Sequence, residues 1–380
     1  MDLTPILLFV DDSNNNCQHA ILELPIFTIT NQVPDSKFFY PICLSSSFPY
    51  IQDIKIPAVI LHEMQHGNCL VLLCHPGEGY SWYHYYKVIN YLQTLNKIDE
   101  NKIIFLTGNP TLFERYKSVY LNSWEPASFS NNVIKEQNLG RGHIFKDSHR
   151  PYKFISLNRI CHPHRFAVVT ALYPHREHGL LSFVNAEYSI RSNYRKASFD
   201  KFTEYYPNYR IKWGNLDPCV TLRVSTTLDY QDTLDYPIII DKFEDKFYHS
   251  YLHIVSETFV SHVFFSEKTY KPIKYFQPFV LINGQYSLQY LRDMGYQTFS
   301  GYIDESYDLE SDNERRIELA IQASLYFVNR EDLHEVMKEL YPIFEHNHNV
   351  FIERCSNFQD RLHGDISKLL YAQDNDANQN

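Results

Sequence analysis

The chain has 380 residues, a length that predicts two domains, because a single hydrophobic core rarely grows beyond about 250 to 300 residues. Its formal net charge of -10 argues against a nucleic-acid backbone as the main partner, since binding along phosphates requires a basic surface. No apolar run reaches the ~18 residues of a membrane span, so no membrane span is expected.

The cysteines and the N-terminus bear on the cellular compartment. The seven cysteines are scattered and show no C-x-x-C spacing, which predicts reduced thiols, a cytoplasmic location and no zinc signature. The first apolar run, Leu3 to Val10, lacks a basic start and is too short for a signal peptide. We therefore interpret this run as the first strand.

The first 150 residues alternate apolar runs with helical patterns. Strands are predicted at PILLFV, ILELPIFTI, FFYPICL, IPAVILHEM, CLVLLCHP and NKIIFLTGN. Helices are predicted at YHYYKVINYLQTL and PTLFERYKSVYL. This series indicates a Rossmann-like domain over residues 1–150, in which the polar stretch 125–150 is the linker.

The second half repeats this alternation. Strands are predicted at FISL, GLLSFVNAEY, HIVSETFV, PFVLING and YQTF, and helices at HRFAVVTALY, SLQYLRDMG and ERRIELAIQASLYFV. Residues 190–236 show no pattern that we can organise. A second Rossmann-like domain is predicted over residues 151–344, followed by terminal helices over 345–372 and a disordered tail over 373–380. The fold class is therefore α/β.

A charged tetrapeptide, Ser266-Glu267-Lys268-Thr269, lies at a predicted strand-to-helix junction, with Lys271 two residues further on. A lysine beside a helix N-terminus suits a diphosphate, and Glu267 can accept hydrogen bonds from ribose hydroxyls. The alternative is a solvated helix start. Glu257 ends the preceding apolar run and needs a partner if it is buried, either in a binding site or in a structural ion pair.

Two further groups of polar residues follow strands. Asn158-Arg159 and His164-Arg165 bracket a helix start, where two guanidinium groups can bind a pyrophosphate, unless they are surface arginines. His75 and Glu78 lie in a glycine-containing turn after a strand, where either can act as a general base, unless both are only solvated.

The sequence HEMQH, with His62, Glu63 and His66, satisfies the zincin pattern. That pattern requires a helix, whereas IPAVILHEMQHGNCL favours a strand, a turn and a strand. A zinc hydrolase therefore stays an alternative that ranks behind the two functions given below, and no metal ligands are expected. The chain lacks a GxxxxGK[ST] phosphate loop, a GxGxxG fingerprint and a DxD pair.

The second half resembles the nucleotide-sugar domain of the α1,3-fucosyltransferase superfamily. That family has an E-N pair and, with its second acid ten residues after the first, the pentapeptide Y-V-T-E-K. Here Glu257 and Glu267 have the same separation, and the pentapeptide is Phe264-Phe265-Ser266-Glu267-Lys268. Thr258 stands where the family has asparagine, and Phe264 stands where it has tyrosine. These two changes leave the identity of the donor sugar open. The resemblance covers roughly residues 151–320, and PFVLING to DESYD is also similar to uncharacterised glycosyltransferase-like proteins.

The resemblance implies a GT-B fold, with two Rossmann-like domains facing a cleft, and an inverting transferase acting on a glycan acceptor. The donor would be a nucleoside-diphosphate sugar, with GDP as the nucleotide and a fucose-like sugar. Lys268, together with Arg159 or Arg165, would neutralise the charge of the diphosphate, without an essential metal or other cofactor. Glu267 would bind the ribose. Glu78 would be the general base, and His75 is the second candidate for that role. The remaining residues assigned to donor binding are Asn158, Glu257, Thr258, Phe265, Ser266, Thr269 and Lys271. The rival hypothesis is a non-catalytic carbohydrate-binding protein on the same fold.

Overall fold

The computed structural model divides the chain into two compact units, unit 1 with residues 1–127 and 353–380 and unit 2 with residues 128–352. The sequence-based domain boundaries, at 150 and 344, stay predictions. The structure describes residues 6–10, 24–44, 54–75, 82–112, 115–122, 125, 147–158, 162–183 and 244–371. No helix in these ranges is both long and apolar enough to cross a membrane.

Unit 1 is built on a six-stranded parallel sheet. Its strands are β1 (Ile6–Phe9), β2 (Phe27–Thr30), β3 (Phe38–Cys43), β4 (Cys69–His75), β5 (Ile103–Thr107) and β6 (Ser118–Tyr120). The strand order is β2-β1-β3-β4-β5-β6. The helices are α1 (Ala58–Gln65), α2 (Trp82–Asn96) and the C-terminal helix, numbered α9 (Phe358–Tyr371) in chain order.

Alternate strand residues of this sheet enter two separate cores, because side chains alternate across a strand. Phe38 and Val71 pack in one cluster with residues of α1 and α2. Phe39 and Leu70 pack in the other cluster with Leu362, Ile366 and Leu370 of α9. Helices therefore cover both faces, as buried parallel strands require. The predicted α/β class with parallel sheets is confirmed.

Unit 2 is built on a four-stranded parallel sheet with the order β10-β9-β7-β8. Its strands are β7 (Tyr152–Asn158), β8 (Gly179–Phe183), β9 (Ser250–Ser256) and β10 (Phe279–Ile282). Its helices are α3 (Pro163–Leu172), α4 (Glu244–Tyr248), α5 (Glu267–Lys274), α6 (Ser287–Asp293), α7 (Asn313–Val328) and α8 (Leu333–Ser356), which continues into unit 1. Helix α3 connects β7 to β8, and α5 connects β9 to β10, so each forms the crossover that a parallel pair needs.

Two predictions of secondary structure in unit 1 are wrong. IPAVILHEM is predicted as a strand, but Ala58–Gln65 forms helix α1, which buries Ile60 and Met64 on one face. The parallel pair β3–β4 requires a crossover here, and that requirement overrides the β-branched composition. PTLFERYKSVYL is predicted as a helix, but it contains a short 3₁₀ turn and the edge strand β6, which pairs with β5.

The predicted strand YQTF is also wrong, because residues 296–299 form no ladder. The amide of Asn347 replaces the missing strand partner: its Oδ1 accepts from the Gln297 N–H at 2.7 Å, and its Nδ2 donates to the Gln297 carbonyl at 2.9 Å. The Phe299 N–H donates to Glu305 Oε1 at 2.5 Å. Side chains thus provide hydrogen-bond partners for the backbone of this segment, in which Tyr296 and Phe299 are buried.

Gly284 is required where the end of β10 passes the loop after β9. A Cβ at this position would overlap the backbone of His262 and Val263. We expect Gly284→Ala to destabilise unit 2 by about 1–3 kcal/mol, the usual cost of overpacking. Chemical denaturation measures this change, and Gly301→Ala is the matched control because its added Cβ meets no atom within 4 Å. Equal stabilities of the two variants would contradict the close approach.

Candidate anion-binding site of unit 2

Glu257 follows β9 directly and is fully buried. Its Oε1 accepts from the Ser266 N–H at 2.9 Å and from Thr269 Oγ1 at 2.6 Å. Its Oε2 accepts from Ser266 Oγ at 2.6 Å. These three hydrogen bonds satisfy the buried carboxylate and fix the start of α5 against the end of β9. Glu257 and Thr269, both predicted to bind a donor, thus hold the junction in place.

Ser266 is the N-cap of α5, and its Oγ accepts from the Lys268 N–H at 3.3 Å and from Lys268 Nζ at 2.9 Å. Lys268 Nζ also donates to Glu267 Oε1 at 3.0 Å and lies 4.0 Å from Glu257 Oε2. The ammonium group is therefore held at the N-terminus of α5, where the helix dipole already favours an anion.

Glu267 has one carboxylate oxygen in use and one available. Oε1 accepts from Lys268, while Oε2 is buried and has no hydrogen-bond partner in the described part of the chain. Burial acts to raise the pKa of this carboxyl, but Lys268 and Lys271 outweigh it and hold the pKa below its usual value. Glu267 is therefore an ionised acceptor, as hydrogen bonding to hydroxyl groups requires.

The N-terminus of α3 contributes a second group of nitrogen atoms. His164 lies in the first turn, and its Nε2 is 2.7 Å from the Glu257 carbonyl oxygen, which links α3 to the end of β9. Arg165 is the next residue and is 2% exposed. Burial, Arg165 and Lys268, in this order, lower the pKa of His162 to about 4. Both cations therefore act on His162, one from α3 and one from α5. We call the place where the N-termini of α3 and α5 meet the carboxyl edge of the sheet the corner.

Asn158 and Ser256 end the adjacent strands β7 and β9, and both are 1% exposed. Asn158 Nδ2 donates to Ser156 Oγ at 3.1 Å, and the Asn158 N–H donates to Ser182 Oγ at 3.2 Å. Within the described ranges, Asn158 Oδ1 and Ser256 Oγ accept or donate no hydrogen bond. Buried polar atoms without partners are rare in proteins, and they mark the place of a water or a ligand.

For the other predicted donor-binding residues, the structure gives the position in the chain and the burial. Thr258 follows Glu257 and is half-buried, Phe265 is fully buried, and Lys271 lies one turn into α5. Arg159 lies outside the described residues, as does Glu78. The structure thus brings Asn158, Arg165, Glu257, Ser266, Glu267, Lys268 and Thr269 together at the carboxyl edge of one sheet. Their binding roles stay predictions.

Sequence reasoning missed two residues of this corner, Ser256 and His162. Ser256 precedes Glu257 at the end of an apolar run, so its position alone is a usable signal. His162 precedes Pro163, which starts α3. Proline at the first helical position marks the residue before it as the N-cap, and this signal identifies His162.

His75 lies in unit 1, at the end of β4 opposite Thr107 of β5, and is 3% exposed. Thr107 Oγ1 is 2.7 Å from Tyr85 Oη and accepts from the Asn109 N–H at 3.1 Å. Asn109 Oδ1 in turn accepts from the Thr111 N–H at 3.0 Å. Thr107 and Asn109 come from the Thr-Gly-Asn end of a predicted strand, and they form a buried polar edge that sequence reasoning did not assign.

His62 and Glu63 lie on helix α1, and His66 is its C-cap residue, which contradicts the strand predicted for this segment. The His62 and His66 rings lie 4.2 Å apart between centroids, and both side chains are exposed. Across the described ranges, no three His, Cys, Asp or Glu side chains are placed to hold a metal ion. The helix meets one requirement of a zinc hydrolase, and the third ligand that such a site needs is not among these residues.

Comparisons with known proteins find only distant similarity, and only to solved structures. No family model matches the chain. No curated protein sequence matches it either. Among solved structures, the N-terminal domain of trehalose-6-phosphate phosphatase from Candida albicans is similar, with a TM-score of 0.43 and 11% identity over 89% of this chain and 71% of that one. A similarity this distant carries no conclusion about the reaction.

Proposed function

We propose that the chain is an inverting glycosyltransferase of the GT-B class that binds a nucleoside-diphosphate sugar at the carboxyl edge of the sheet of unit 2. The observation that supports this most is the α5 junction. There the Lys268 ammonium group lies on a helix N-terminus beside Glu267, whose buried Oε2 has no hydrogen-bond partner among the described residues. A cation beside a hydroxyl acceptor suits a diphosphate joined to a ribose.

In this proposal the diphosphate and the ribose of the ligand each have a matching group. Lys268, Arg165 and the N-termini of α3 and α5 bind the diphosphate, and Glu267 Oε2 accepts from the ribose hydroxyls. Asn158 Oδ1 and Ser256 Oγ, which are buried at the same edge, provide further polar contacts. Ligands of parallel sheets bind beyond the carboxyl ends of the strands, where these atoms lie.

The proposed reaction is a single displacement. An acceptor hydroxyl attacks the anomeric carbon, the bond from that carbon to the phosphate oxygen breaks, and the nucleoside diphosphate leaves with the bonding electrons. Lys268 and Arg165 stabilise the negative charge that develops on the leaving group. A general base takes the hydroxyl proton, and Glu78 and His75 are the two candidates.

A Lys268→Ala variant tests the site. We expect it to bind nucleoside diphosphates about 10- to 100-fold more weakly than the wild type, the usual effect of losing a hydrogen bond to a charged group. Titration calorimetry with GDP, UDP, CDP and dTDP measures the change in affinity and shows which nucleobase the site prefers. Lys338→Ala is the matched control, since Lys338 is an exposed lysine of α8. Unchanged affinity in Lys268→Ala would exclude this corner as the diphosphate site.

Turnover separates an enzyme from a binding protein. The donor for this experiment is the sugar nucleotide that carries the preferred nucleobase. We expect the wild type to release nucleoside diphosphate when a glycan acceptor is added. We expect Glu78→Gln to bind the donor without releasing product. Nucleotide binding without release on any acceptor would support the non-catalytic carbohydrate-binding hypothesis. Full activity of Glu78→Gln would transfer the role of the base to His75.

A further inference from the structure

His162 lies at the junction between the end of β7 and α3. It is the N-cap residue of α3, with an extended backbone, but its side chain makes no capping hydrogen bond. Histidine is not among the residues that cap helices well, since Ser, Thr, Asp and Asn supply the side-chain oxygen that accepts from the first N–H groups. The N-terminus of α3 therefore receives no hydrogen-bond acceptor from the side chain of its own N-cap.

The His162 imidazole is held in a defined position. Its ring is nearly parallel to that of His164, with 5.6 Å between centroids and 9° between planes. His164 is itself fixed, because its Nε2 lies 2.7 Å from the Glu257 carbonyl oxygen. His162 Nε2 is buried and makes no hydrogen bond to any residue that the structure describes. A fixed, buried ring nitrogen without a partner indicates that a ligand atom belongs beside it.

Burial and the charges around His162 explain why the ring is neutral without a ligand. Burial, Arg165 of α3 and Lys268 of α5, in this order, together lower its pKa to about 4. His164 is also neutral, because burial, Arg165 and His162 hold its pKa well below the usual value. Of the nearby carboxylates, Glu257 accepts from Ser266 and Thr269, and Glu267 accepts from Lys268 through Oε1.

We propose that His162 is a further anion-binding residue, which donates a hydrogen bond from Nε2 to the bound phosphate group and takes up one proton from solvent when that group binds. This inference rests on the proposed nucleoside-diphosphate site and adds a residue and a proton to it. An anion within hydrogen-bond distance favours the imidazolium form, typically raising the pKa of a histidine by about 1–3 units. The positive charge of the corner thus rises when the ligand is present and falls when the product leaves.

The sign of the pH dependence follows from these two states. The pKa of His162 is about 4 without ligand and is raised in the complex. A group that binds its proton more tightly in the complex strengthens binding below the raised pKa, and the gain is lost as pH rises through it. We therefore expect the affinity of the wild type to fall between about pH 5 and pH 8 by about 2- to 80-fold more than that of His162→Gln, according to whether the pKa rises by about 1 or about 3 units.

The experiment is titration calorimetry of the full chain with GDP, UDP and inorganic pyrophosphate at pH 6, in buffers of different ionisation enthalpy. The dependence of the observed heat on the buffer gives the number of protons taken up. His162→Gln keeps an N–H donor but cannot titrate, so subtracting its value removes the ligand's own protonation. His178→Gln, the same change at an exposed histidine after α3, is the control. His162→Asn, which adds a favourable N-cap, replaces His162→Gln if that variant does not fold.

The outcomes separate the inference from the function on which it rests. Greater proton uptake by the wild type and His178→Gln than by His162→Gln supports the role of His162. Equal uptake by all three, with nucleotide binding intact, overturns that role and leaves the proposed function standing. If the wild type binds none of the three ligands, both the role of His162 and the diphosphate site are overturned.

Discussion

Glu257→Ala is expected to destabilise unit 2 by about 3–5 kcal/mol, because it removes one buried acceptor group from three donors at once. The Ser266 N–H, Ser266 Oγ and Thr269 Oγ1 would all lose the carboxylate that they contact at 2.6 to 2.9 Å. The same change frees the N-terminus of α5, which positions Lys268. We therefore also expect nucleoside-diphosphate affinity to fall by more than about 100-fold.

Two measurements check this expectation. Chemical denaturation gives the loss of stability, and hydrogen exchange of the amides of α5 shows whether the loss is local to the junction. Glu257→Gln keeps the size of the side chain but replaces one acceptor oxygen by a donor, so it should lie between Glu257→Ala and the wild type. Glu331→Ala, at an exposed glutamate, is the control. Wild-type stability in Glu257→Ala would show that the junction does not depend on this carboxylate.

The hydrogen bonds between Glu257 and Ser266, the N-cap residue of α5, show what the sequence can and cannot predict about the site. The ten-residue spacing from Glu257 to Glu267 is visible in the sequence and points to the segment that joins β9 to α5. The sequence does not show that Glu257 is enclosed by Ser266 and Thr269, because this depends on how the loop after β9 folds back. The sequence leaves Glu257 in either a binding site or a structural pair, and the structure adds that its carboxylate holds the loop through Ser266 and Thr269. Its role in donor binding stays a prediction.

The fold shows the same division between local and non-local information. Continuous apolar runs such as those of β4 and β9 identify buried parallel strands, because both faces of such a strand are covered by helices. Helix α1 and strand β6 were missed because the parallel pairing of β3 with β4 and of β5 with β6 determines their conformation. Such pairing joins residues far apart in the chain, and local composition does not encode it.

Glu125 in unit 1 is a second buried carboxylate on which stability is expected to depend. It is 1% exposed and accepts from Arg354 Nε at 2.6 Å and from Arg354 Nη2 at 3.1 Å, while Arg361 Nη2 lies 3.7 Å from Oε2. We expect Glu125→Leu to destabilise unit 1 by about 3 kcal/mol, because it leaves the largely buried Arg354 guanidinium without a counter-charge. Glu353→Gln, at an exposed glutamate, is the control.

The double variant Glu125→Leu with Arg354→Leu distinguishes an unpaired charge from lost packing. A buried ion pair replaced as a whole by apolar side chains loses both the attraction and the cost of desolvation, so the double variant should be more stable than Glu125→Leu alone. We expect a coupling energy of about 1–3 kcal/mol in a double-mutant cycle. Hydrogen exchange of α9, which contains Arg361, should be fastest in Glu125→Leu and slower in the double variant. Additive effects of the two substitutions would instead mean that each side chain stabilises unit 1 by its own packing, and that the ion pair contributes nothing.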